Sequence, residues 1–254
     1  AMTYDTHGNE FFDSSALEVL AEHNLLAPNL PPEYGGRGLS NLVTAMILEE
    51  IAAGCAGVAI AVAANLHAIS PLMVAGTQEQ RDRYLPLMAN GKTGLGAIAM
   101  VDTGVNLDFL LQTERVSIRG SSIKGEVNEA NQTVVNGSKD YVMNAAAAKF
   151  MTTMVEYKSS GSSEPGGLQI IVLPMDTPGL SLGNTRHKLG LRYCSTAEVH
   201  FNDLIAEPHH MIGTPAQGLE IFKECLYRNV PFVGAVCVGV ARAAYQHALE
   251  ISKE

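Results

Sequence analysis

The sequence predicts an α+β protein with more than one domain, because its hydrophobic periodicity changes type twice along the chain. Residues 13–90 repeat apolar side chains at helical spacing, whereas residues 94–205 are richer in Thr, Val, Ser and Gly and alternate over short runs. Helical spacing returns from about Ala216. Such changes are typical of boundaries between separately packed units. We expect a helical domain, an antiparallel β-barrel or sandwich, and a further helical segment over residues 1–93, 94–212 and 213–254.

The N-terminal part carries three helix signals. Residues 15–26 have an apolar stripe, and residues 42–51 repeat such a stripe. The Pro and Gly residues between these two segments predict a turn. Thr77 and Gln80 have the spacing of a capping box, which predicts that another helix begins there.

One apolar segment resembles a membrane span in composition. Residues 58–75 are almost wholly apolar, but they include Asn65 and His67 and are short for a span. We therefore predict a helix buried in the protein core and no membrane span.

The middle part is predicted to consist of short strands. Its strand-like segments are rich in Val, Ile, Thr and aromatic residues and cover residues 117–127, 133–143, 149–157, 168–175 and 197–203. The Ser- and Gly-rich residues 158–167 predict an exposed loop between two of these strands.

The last part of the chain predicts one long helix. Residues 230–244 are apolar nearly all round, which is typical of a helix buried on every side in a bundle or a subunit interface. Pro231 is expected to start or kink it. No Gly, Asn or Pro stop signal precedes Glu254, so we expect the native helix to continue.

Composition and charge exclude some classes of function. The 254 residues carry a net charge of −9 and no basic run, so nucleic acid is not an expected partner. The four cysteines have no zinc-ligand spacing, so the sequence predicts neither a metal site nor a disulfide framework. Free thiols and the lack of a recognisable signal peptide favour a cytoplasmic location.

Four segments, in order, resemble one known family. They read LPPEYGGRGL, GTQEQRDRYLPLM, NGSKDYVMNA and KLGLRYCSTAEVHFND, at residues 30–39, 76–88, 136–145 and 188–203. The chain resembles the acyl-CoA dehydrogenases over most of its length. This resemblance implies the family's N-terminal helical domain, its middle β-domain and the first helix of its C-terminal helical bundle.

The resemblance implies FAD as cofactor and an acyl-CoA thioester as substrate. In the first flavin segment of the family, this chain has Met100, Val101, Leu107 and Asp108. Val101 replaces a threonine whose hydroxyl serves the flavin, and Leu107 replaces a serine near the substrate. Met100 and Val101 are therefore candidate cofactor-binding residues, and Leu107 and Asp108 are candidate substrate-binding residues. Residues 109–133 look longer than the corresponding passage in the family.

The second flavin segment of the family corresponds to residues 139–144. Tyr141 replaces a tryptophan that stacks on the flavin, and Met143 replaces a threonine. A tyrosine ring can still stack, and a thioether can pack against a flat aromatic surface. Tyr141, Met143 and Asn144 are therefore candidate cofactor-binding residues.

The catalytic glutamate of the family has no identified counterpart in this chain. Aligning the C-terminal helix on Arg228 places Tyr227 at that position, and an alternative alignment places Asn229 there. Tyr227 and Arg228 are candidate substrate-binding residues, whereas Glu220 and Glu224 are expected to be solvated. We therefore expect the 254-residue chain to be inactive by itself.

The resemblance favours an acyl-CoA dehydrogenase and leaves two alternatives open. One is a non-catalytic relative that binds acyl-CoA or acts as a scaffold, which the replacements at Val101, Leu107 and Met143 favour. The other is a relative of the flavin monooxygenase type. By resemblance, an electron-transferring flavoprotein would accept the electrons, and the fold implies a homodimer or homotetramer.

Overall fold

The computed structural model describes residues 2–4, 10–12, 14–89, 94–100, 122–128, 132–158, 167–214 and 217–253. The chain begins with a hairpin that the sequence did not predict, in which β1 (Met2–Tyr4) pairs antiparallel with β2 (Glu10–Phe12). The helices that follow are α1 (Ser15–Glu22), α2 (Asn41–Gly54), α3 (Ala56–Ala75) and α4 (Gln78–Tyr84). Short 3-10 helices cover Pro32–Tyr34 and Leu85–Met88.

The predicted helix signals are confirmed, with one change at an end. The capping box at α4 is complete, because Thr77 accepts from the Gln80 backbone and the Gln80 side chain accepts from the Thr77 backbone. The first helix ends at Glu22 rather than near residue 26. Asn24 has a φ of 52°, and this left-handed backbone cannot continue an α-helix.

The apolar segment forms α3, which lies in the protein core as predicted. Fourteen of its residues are buried. By length and composition alone, both α3 and a later helix, α5 (Gly218–Ile251), are apolar enough to cross a membrane. The apolar window of α3 is 72% buried inside the protein, compared with 17% for α5. Burial of this extent is typical of a core helix, and the lack of a membrane span stays a prediction.

The middle part forms one mixed sheet. Its strands are β3 (Leu95–Ala99), β4 (Ile123–Val127), β5 (Thr133–Met143), β6 (Ala148–Lys158), β7 (Leu168–Pro174), β8 (Leu180–Thr185), β9 (Thr196–Ala206) and β10 (Met211–Ile212). The order is β10-β7-β6-β3-β5-β9-β8, and β4 also pairs with β5 and β6. Thus β3 and β4 both lie between β5 and β6, at opposite ends of those strands.

The sheet differs from the predicted antiparallel arrangement in two pairings. Both β3 and β4 run parallel to β6, and the other pairs are antiparallel. The sequence also did not predict β3, β8 or β10. The α+β fold class itself is confirmed.

The two faces of the sheet belong to different cores. One core joins the helices to the sheet and includes Leu66, Phe150 and Phe222. The other core lies on the opposite face and includes Val135, Val199 and Phe201. The N-terminal helices end at Met88 and β3 begins at Leu95, and the predicted domain bounds stay a prediction.

The last helix, α5, is the single long helix that the sequence predicts from about Ala216, and within this chain it is not buried on every side. It packs against α2 and α3, and Gly239 lies so close to α2 that an added Cβ would be 2.2 Å from the Glu49 carbonyl oxygen. On the opposite side it exposes large apolar residues, among them Val230, Val233, Val238, Val240 and Tyr245. Pro231 lies inside the helix rather than at its start. Among the described residues of this single chain, the exposed side of α5 has no neighbour, so burial in a bundle or a subunit interface stays a prediction.

Candidate functional site

The candidate site is a part of the helix-facing side of the sheet that no described helix covers. Tyr141 and Met143 lie on this side of β5, because Val142 between them belongs to the opposite core. Glu198 and His200 lie on the same side of β9, since Ala197 and Val199 also belong to the opposite core. We call Tyr141, Arg186, Glu198 and His200 the open patch.

Tyr141 is the exposed aromatic residue of the open patch. Its side chain is 58% exposed, and the Cζ of Arg186 lies 5.2 Å from its ring centroid. This distance is within the range of a cation–π interaction. The ring therefore has a guanidinium beside it and still presents a large open surface.

Arg186 is fixed by hydrogen bonds to two neighbouring strands. Its Nη2 donates to Glu198 Oε1, and its Nε lies 3.4 Å from the Asp140 carbonyl oxygen. Its backbone N–H donates to the Thr196 carbonyl oxygen at 2.7 Å. The second Glu198 oxygen lies 3.7 Å from His200 Nε2. The open patch is therefore a connected polar group around one aromatic ring.

Met143 and Met100 are less accessible than Tyr141. Met143 is half-buried at the edge of the helix-facing core, opposite Ile98 in the register of β3 and β5. Met100 is 6% exposed and its side chain belongs to that core. The structure therefore brings Met143 close to the open patch. Because the Met100 side chain is buried in the core, only its backbone could contact a ligand.

Asn144 belongs to a different set of contacts, which joins α3 to the sheet. Its side-chain amide donates to the carbonyl oxygens of Ala61 at 2.9 Å and Gly96 at 3.3 Å. Its Oδ1 accepts from the Cys194 thiol, and its backbone N–H donates to Ser195. All polar atoms of this side chain bind within the protein, and a role of Asn144 at the cofactor stays a prediction.

Three further bonds complete this set, which we call the polar seam (Asn65, Gly96, Asn144 and Thr152). Asn65 accepts from the Gly96 N–H at 2.6 Å and donates to the Leu26 carbonyl oxygen at 2.9 Å. Thr152 donates to the Ala68 carbonyl oxygen at 3.1 Å. These polar groups are buried and have no access to water, so they need these hydrogen bonds to be satisfied in the folded protein. The polar seam therefore fixes the position of α3 on the sheet.

The loop between β8 and β9 borders the open patch. Lys188 donates to the Cys194 carbonyl oxygen and to Thr196 Oγ1. Burial lowers the pKa of the Lys188 ammonium, and the nearby Cys194 opposes that shift. Leu189 is 97% exposed and Leu191 has a φ of 55°. Lys188 thus holds the base of a loop whose tip presents leucine to solvent.

The predicted substrate residues on α5 are exposed. Tyr227 and Arg228 both face outward, and Arg228 Nε lies 2.7 Å from Glu224 Oε1. Glu220 is exposed as well, so both carboxylates are solvated as expected. None of the described contacts links Tyr227 or Arg228 to the open patch, and their substrate role stays a prediction.

Several predicted site residues lie outside the described part of the chain. They are Val101, Leu107 and Asp108, together with most of the segment 109–133 that looks longer than in the family. Among the described residues, no group of three or more His, Cys, Asp or Glu side chains is arranged to hold a metal ion.

Sequence reasoning missed Arg186 and Glu198. Alternation along residues 197–203 predicts that Glu198 faces away from the core, but it does not predict its partner. Arg186 and Tyr141 are 45 positions apart and meet only because β5, β9 and β8 are neighbours in the sheet. The contact therefore depends on strand order, which the sequence pattern does not reveal.

Comparison with known proteins gives the same fold and the same family. The models of the N-terminal and middle domains of acyl-CoA dehydrogenase match residues 1–92 and 116–204. Butyryl-CoA dehydrogenase from Megasphaera elsdenii matches with a TM-score of 0.84 and 26% identity, over 96% of this chain and 62% of the other. An acyl-CoA dehydrogenase from Bacillus anthracis, solved with FAD, matches with a TM-score of 0.76 and 26% identity, over 89% and 36%.

A curated relative extends the comparison to sequence. Cyclohex-1-ene-1-carbonyl-CoA dehydrogenase from Syntrophus aciditrophicus is 28% identical over 97% of this chain, which spans 56% of that relative. The fold is thus that of the helical and β domains of acyl-CoA oxidoreductases. The chain belongs to the acyl-CoA dehydrogenase family. The family and the fold predicted from the four sequence segments are confirmed.

The open patch fits the flat ring of a flavin as a stacking surface. It offers the exposed ring of Tyr141, with the half-buried thioether of Met143 two residues further along the same face. Aromatic rings and thioethers both pack favourably on flat π systems. Met143 lacks the hydroxyl that the family resemblance expects at this position, so a backbone group would have to make that hydrogen bond to the flavin edge.

Proposed function

We propose that this chain forms the helical and β domains of an FAD-dependent acyl-CoA dehydrogenase, which acts in α,β-dehydrogenation of an acyl-CoA thioester. The observation that carries the proposal is the exposed Tyr141 ring on an uncovered part of the sheet, at the position where the resemblance expects flavin stacking. Family membership and the FAD complex of the Bacillus anthracis relative support the same cofactor.

When bound, FAD supplies the hydride acceptor for the reaction. Tyr141 would hold one face of the flavin ring system, and Met143 would exclude water beside it. The polar seam positions β3 and the end of β5, and so fixes the strand that carries both side chains.

An acyl-CoA thioester is the proposed substrate class, and the two relatives named for their substrates act on butyryl-CoA and on cyclohex-1-ene-1-carbonyl-CoA. Removal of the α-proton requires a base within hydrogen-bond reach. Glu224 of α5 is paired with Arg228 and Glu220 is exposed, so neither is assigned as that base. We accordingly propose that the 254-residue chain contributes to binding FAD and the acyl-CoA thioester but does not complete the reaction by itself.

The proposed partners are an electron-transferring flavoprotein and further copies of the chain. The exposed apolar side of α5, with Val230, Val233 and Tyr245, supports a homodimer or homotetramer because large exposed apolar surfaces favour association. A cytoplasmic location, in a role such as fatty acid metabolism, is part of the same proposal. All four cysteines are free, which supports a reducing compartment.

The test uses the native gene product, purified and loaded with FAD. Its visible flavin absorbance is followed under anaerobic conditions while butyryl-CoA, cyclohex-1-ene-1-carbonyl-CoA or a long-chain acyl-CoA is added. We expect stoichiometric flavin binding and bleaching by at least one thioester. Replacing the exposed ring with Tyr141→Ala should weaken FAD binding about tenfold, because the loss of base–aromatic stacking costs about 1–3 kcal/mol.

The matched control is Tyr157→Ala, which removes a partly exposed tyrosine near the C-terminal end of β6, where β6 pairs with β4. It should leave FAD binding unchanged. Flavin binding without bleaching by any thioester would favour the monooxygenase-type alternative. Failure of the wild-type protein to bind FAD would instead favour the non-catalytic acyl-CoA-binding or scaffolding alternative.

A further inference from the structure

We propose that Arg186 is a positioning residue that holds the Tyr141 ring in place for the flavin. Its guanidinium, tied to Glu198 and to the Asp140 backbone, lies beside one face of the ring and leaves the rest of the ring to the cofactor. This inference rests on the proposed function and adds to it a residue outside the family segments described above.

The geometry of the contact supports a fixed ring. An exposed tyrosine at the surface of a sheet normally exchanges between rotamers, since nothing on its outer side restrains it. Here the Arg186 Cζ lies 5.2 Å from the Tyr141 ring centroid, while the ring remains 58% exposed. The guanidinium therefore restrains the ring without burying it. A restrained surface binds a flat ligand at a lower entropic cost than a mobile one.

The hydrogen bonds of Arg186 explain why an arginine serves this purpose. A guanidinium donates in its plane and stacks with its face, so both interactions can be made at once. Arg186 directs Nη2 to Glu198 Oε1 and places Nε 3.4 Å from the Asp140 carbonyl oxygen. An ammonium group has neither the planar face nor the fork of donors. A lysine at this position would keep the charge and lose the stacked arrangement.

The anchors of Arg186 lie on strands rather than on loops. Its backbone N–H donates to Thr196 at 2.7 Å, and Glu198 lies on β9, which pairs directly with β5. Tyr141 lies on β5, so the ring and the carboxylate belong to neighbouring strands of one sheet, and Arg186 directly follows the end of β8. The spacing between them is therefore set by the sheet itself.

The permanent charge of Arg186 has a second consequence. Reduction of a flavin places negative charge on its ring system, and a fixed cation nearby stabilises that charge more than the neutral oxidised ring. Glu198 offsets part of the cation's effect, because it is paired with Arg186. We therefore expect loss of the guanidinium to lower the reduction potential of the bound flavin, in addition to weakening its binding.

The experiment compares Arg186→Gln and Arg186→Lys with the wild type in the FAD-loaded native gene product. We expect Arg186→Gln to weaken FAD binding about tenfold and to lower the flavin reduction potential. Because Arg186→Lys keeps the positive charge, its flavin reduction potential should stay close to that of the wild type. Its affinity for FAD should fall about threefold. This separation of affinity from potential would not arise from a general loss of structure.

Two further variants complete the design. Arg37→Gln removes the same charge from an exposed arginine in the N-terminal turn and should change neither quantity. Glu198→Gln keeps the shape of the anchor and should weaken FAD binding about threefold, even if Arg186→Gln does not fold.

The results that would overturn the inference differ from those that would overturn the proposed function. Wild-type affinity and potential in both Arg186→Gln and Glu198→Gln would reject the role of Arg186 alone. Equal losses in Arg186→Gln and Arg37→Gln would show a general charge effect and would also reject it. If the wild-type protein binds no FAD, the proposed function fails and the inference fails with it.

Discussion

The polar seam and the open patch lie on the same side of one sheet, yet they differ in almost every physical respect. At the polar seam, buried amides and a hydroxyl bind carbonyl and N–H groups of α3 and β3. In the open patch, charged and aromatic side chains form a connected group that remains partly exposed. One region joins two layers of the protein, and the other presents a surface on which a ligand can bind.

The difference teaches that neighbours within one sequence segment need not share a role. Tyr141 and Asn144 are three residues apart in a segment that resembles a flavin-binding stretch. The structure places Tyr141 in the open patch and uses every polar side-chain atom of Asn144 in the polar seam. A family resemblance therefore locates the segment, whereas contacts decide what each residue does.

The largest expected effect comes from breaking the polar seam at Asn65. Asn65→Leu leaves the Gly96 N–H and the Leu26 carbonyl oxygen buried without their partner. Each stranded group costs about 1–3 kcal/mol, so the free energy of unfolding should fall by about 2–5 kcal/mol. Urea denaturation of the 254-residue chain, followed by circular dichroism, measures this change.

The control for that variant is Gln246→Leu, which places the same side chain at an exposed position of α5. It should change the free energy of unfolding by less than about 0.5 kcal/mol. Similar stabilities for Asn65→Leu and Gln246→Leu would show that the polar seam does not hold the two layers together.

An intermediate effect is expected from pH, at a second contact between the helices and the sheet. Gln80 donates to the carbonyl oxygens of His209 and Met211, and between them His210 Nδ1 accepts from the Glu207 N–H. Burial, with smaller contributions from His209 and Arg83, lowers the pKa of the His210 imidazole to about 4. The folded protein thus favours neutral His210.

The pKa of His210 is lower in the folded state than in the unfolded state, so protonation favours the unfolded chain. The protein therefore has its full stability above pH 6.5 and loses part of it as the pH falls toward 4. Over this range the wild type should lose about 2 kcal/mol more than His210→Asn, whose amide oxygen can still accept from Glu207. Denaturation at several pH values measures the difference. Parallel pH profiles for the two proteins would contradict the prediction.

The smallest effect on stability is expected in the open patch. Tyr141→Ser removes an exposed ring and its contact with Arg186, so the free energy of unfolding should fall by no more than about 1 kcal/mol. The midpoint of thermal unfolding measures this change. A loss as large as that of Asn65→Leu would show that the open patch is part of the structural core, and the contrast between the two regions would disappear.

Much of the helical architecture could be predicted from local sequence. The capping box of Thr77 and Gln80 is a four-residue pattern, and the apolar segment of α3 is long enough to identify a core helix. By contrast, β3 has five consecutive buried residues and so lacks the alternation by which a strand is recognised. For α5, an apolar composition did not show which side would be exposed in this chain.

The site was only partly predictable, for the same physical reason. Tyr141 and Met143 were identified through the resemblance of one segment, and the structure places Tyr141 in the open patch with Met143 two residues further along β5. Arg186 lies just after β8, 45 positions from Tyr141, and the bonds of Asn144 reach back to Ala61 in α3. Contacts between distant parts of a chain depend on strand order and layer packing, which periodicity does not encode.

The backbone at Asn144 also limits how the sequence can diverge. Its φ is 63°, a left-handed conformation that asparagine, aspartate and glycine adopt readily and that β-branched residues avoid. Of these three residues, asparagine alone also supplies an amide donor to Ala61 and Gly96. We expect position 144 to tolerate almost no substitution, whereas position 141 can accept other aromatic residues. A cofactor preference can therefore change in this lineage without disturbing the joint between its layers.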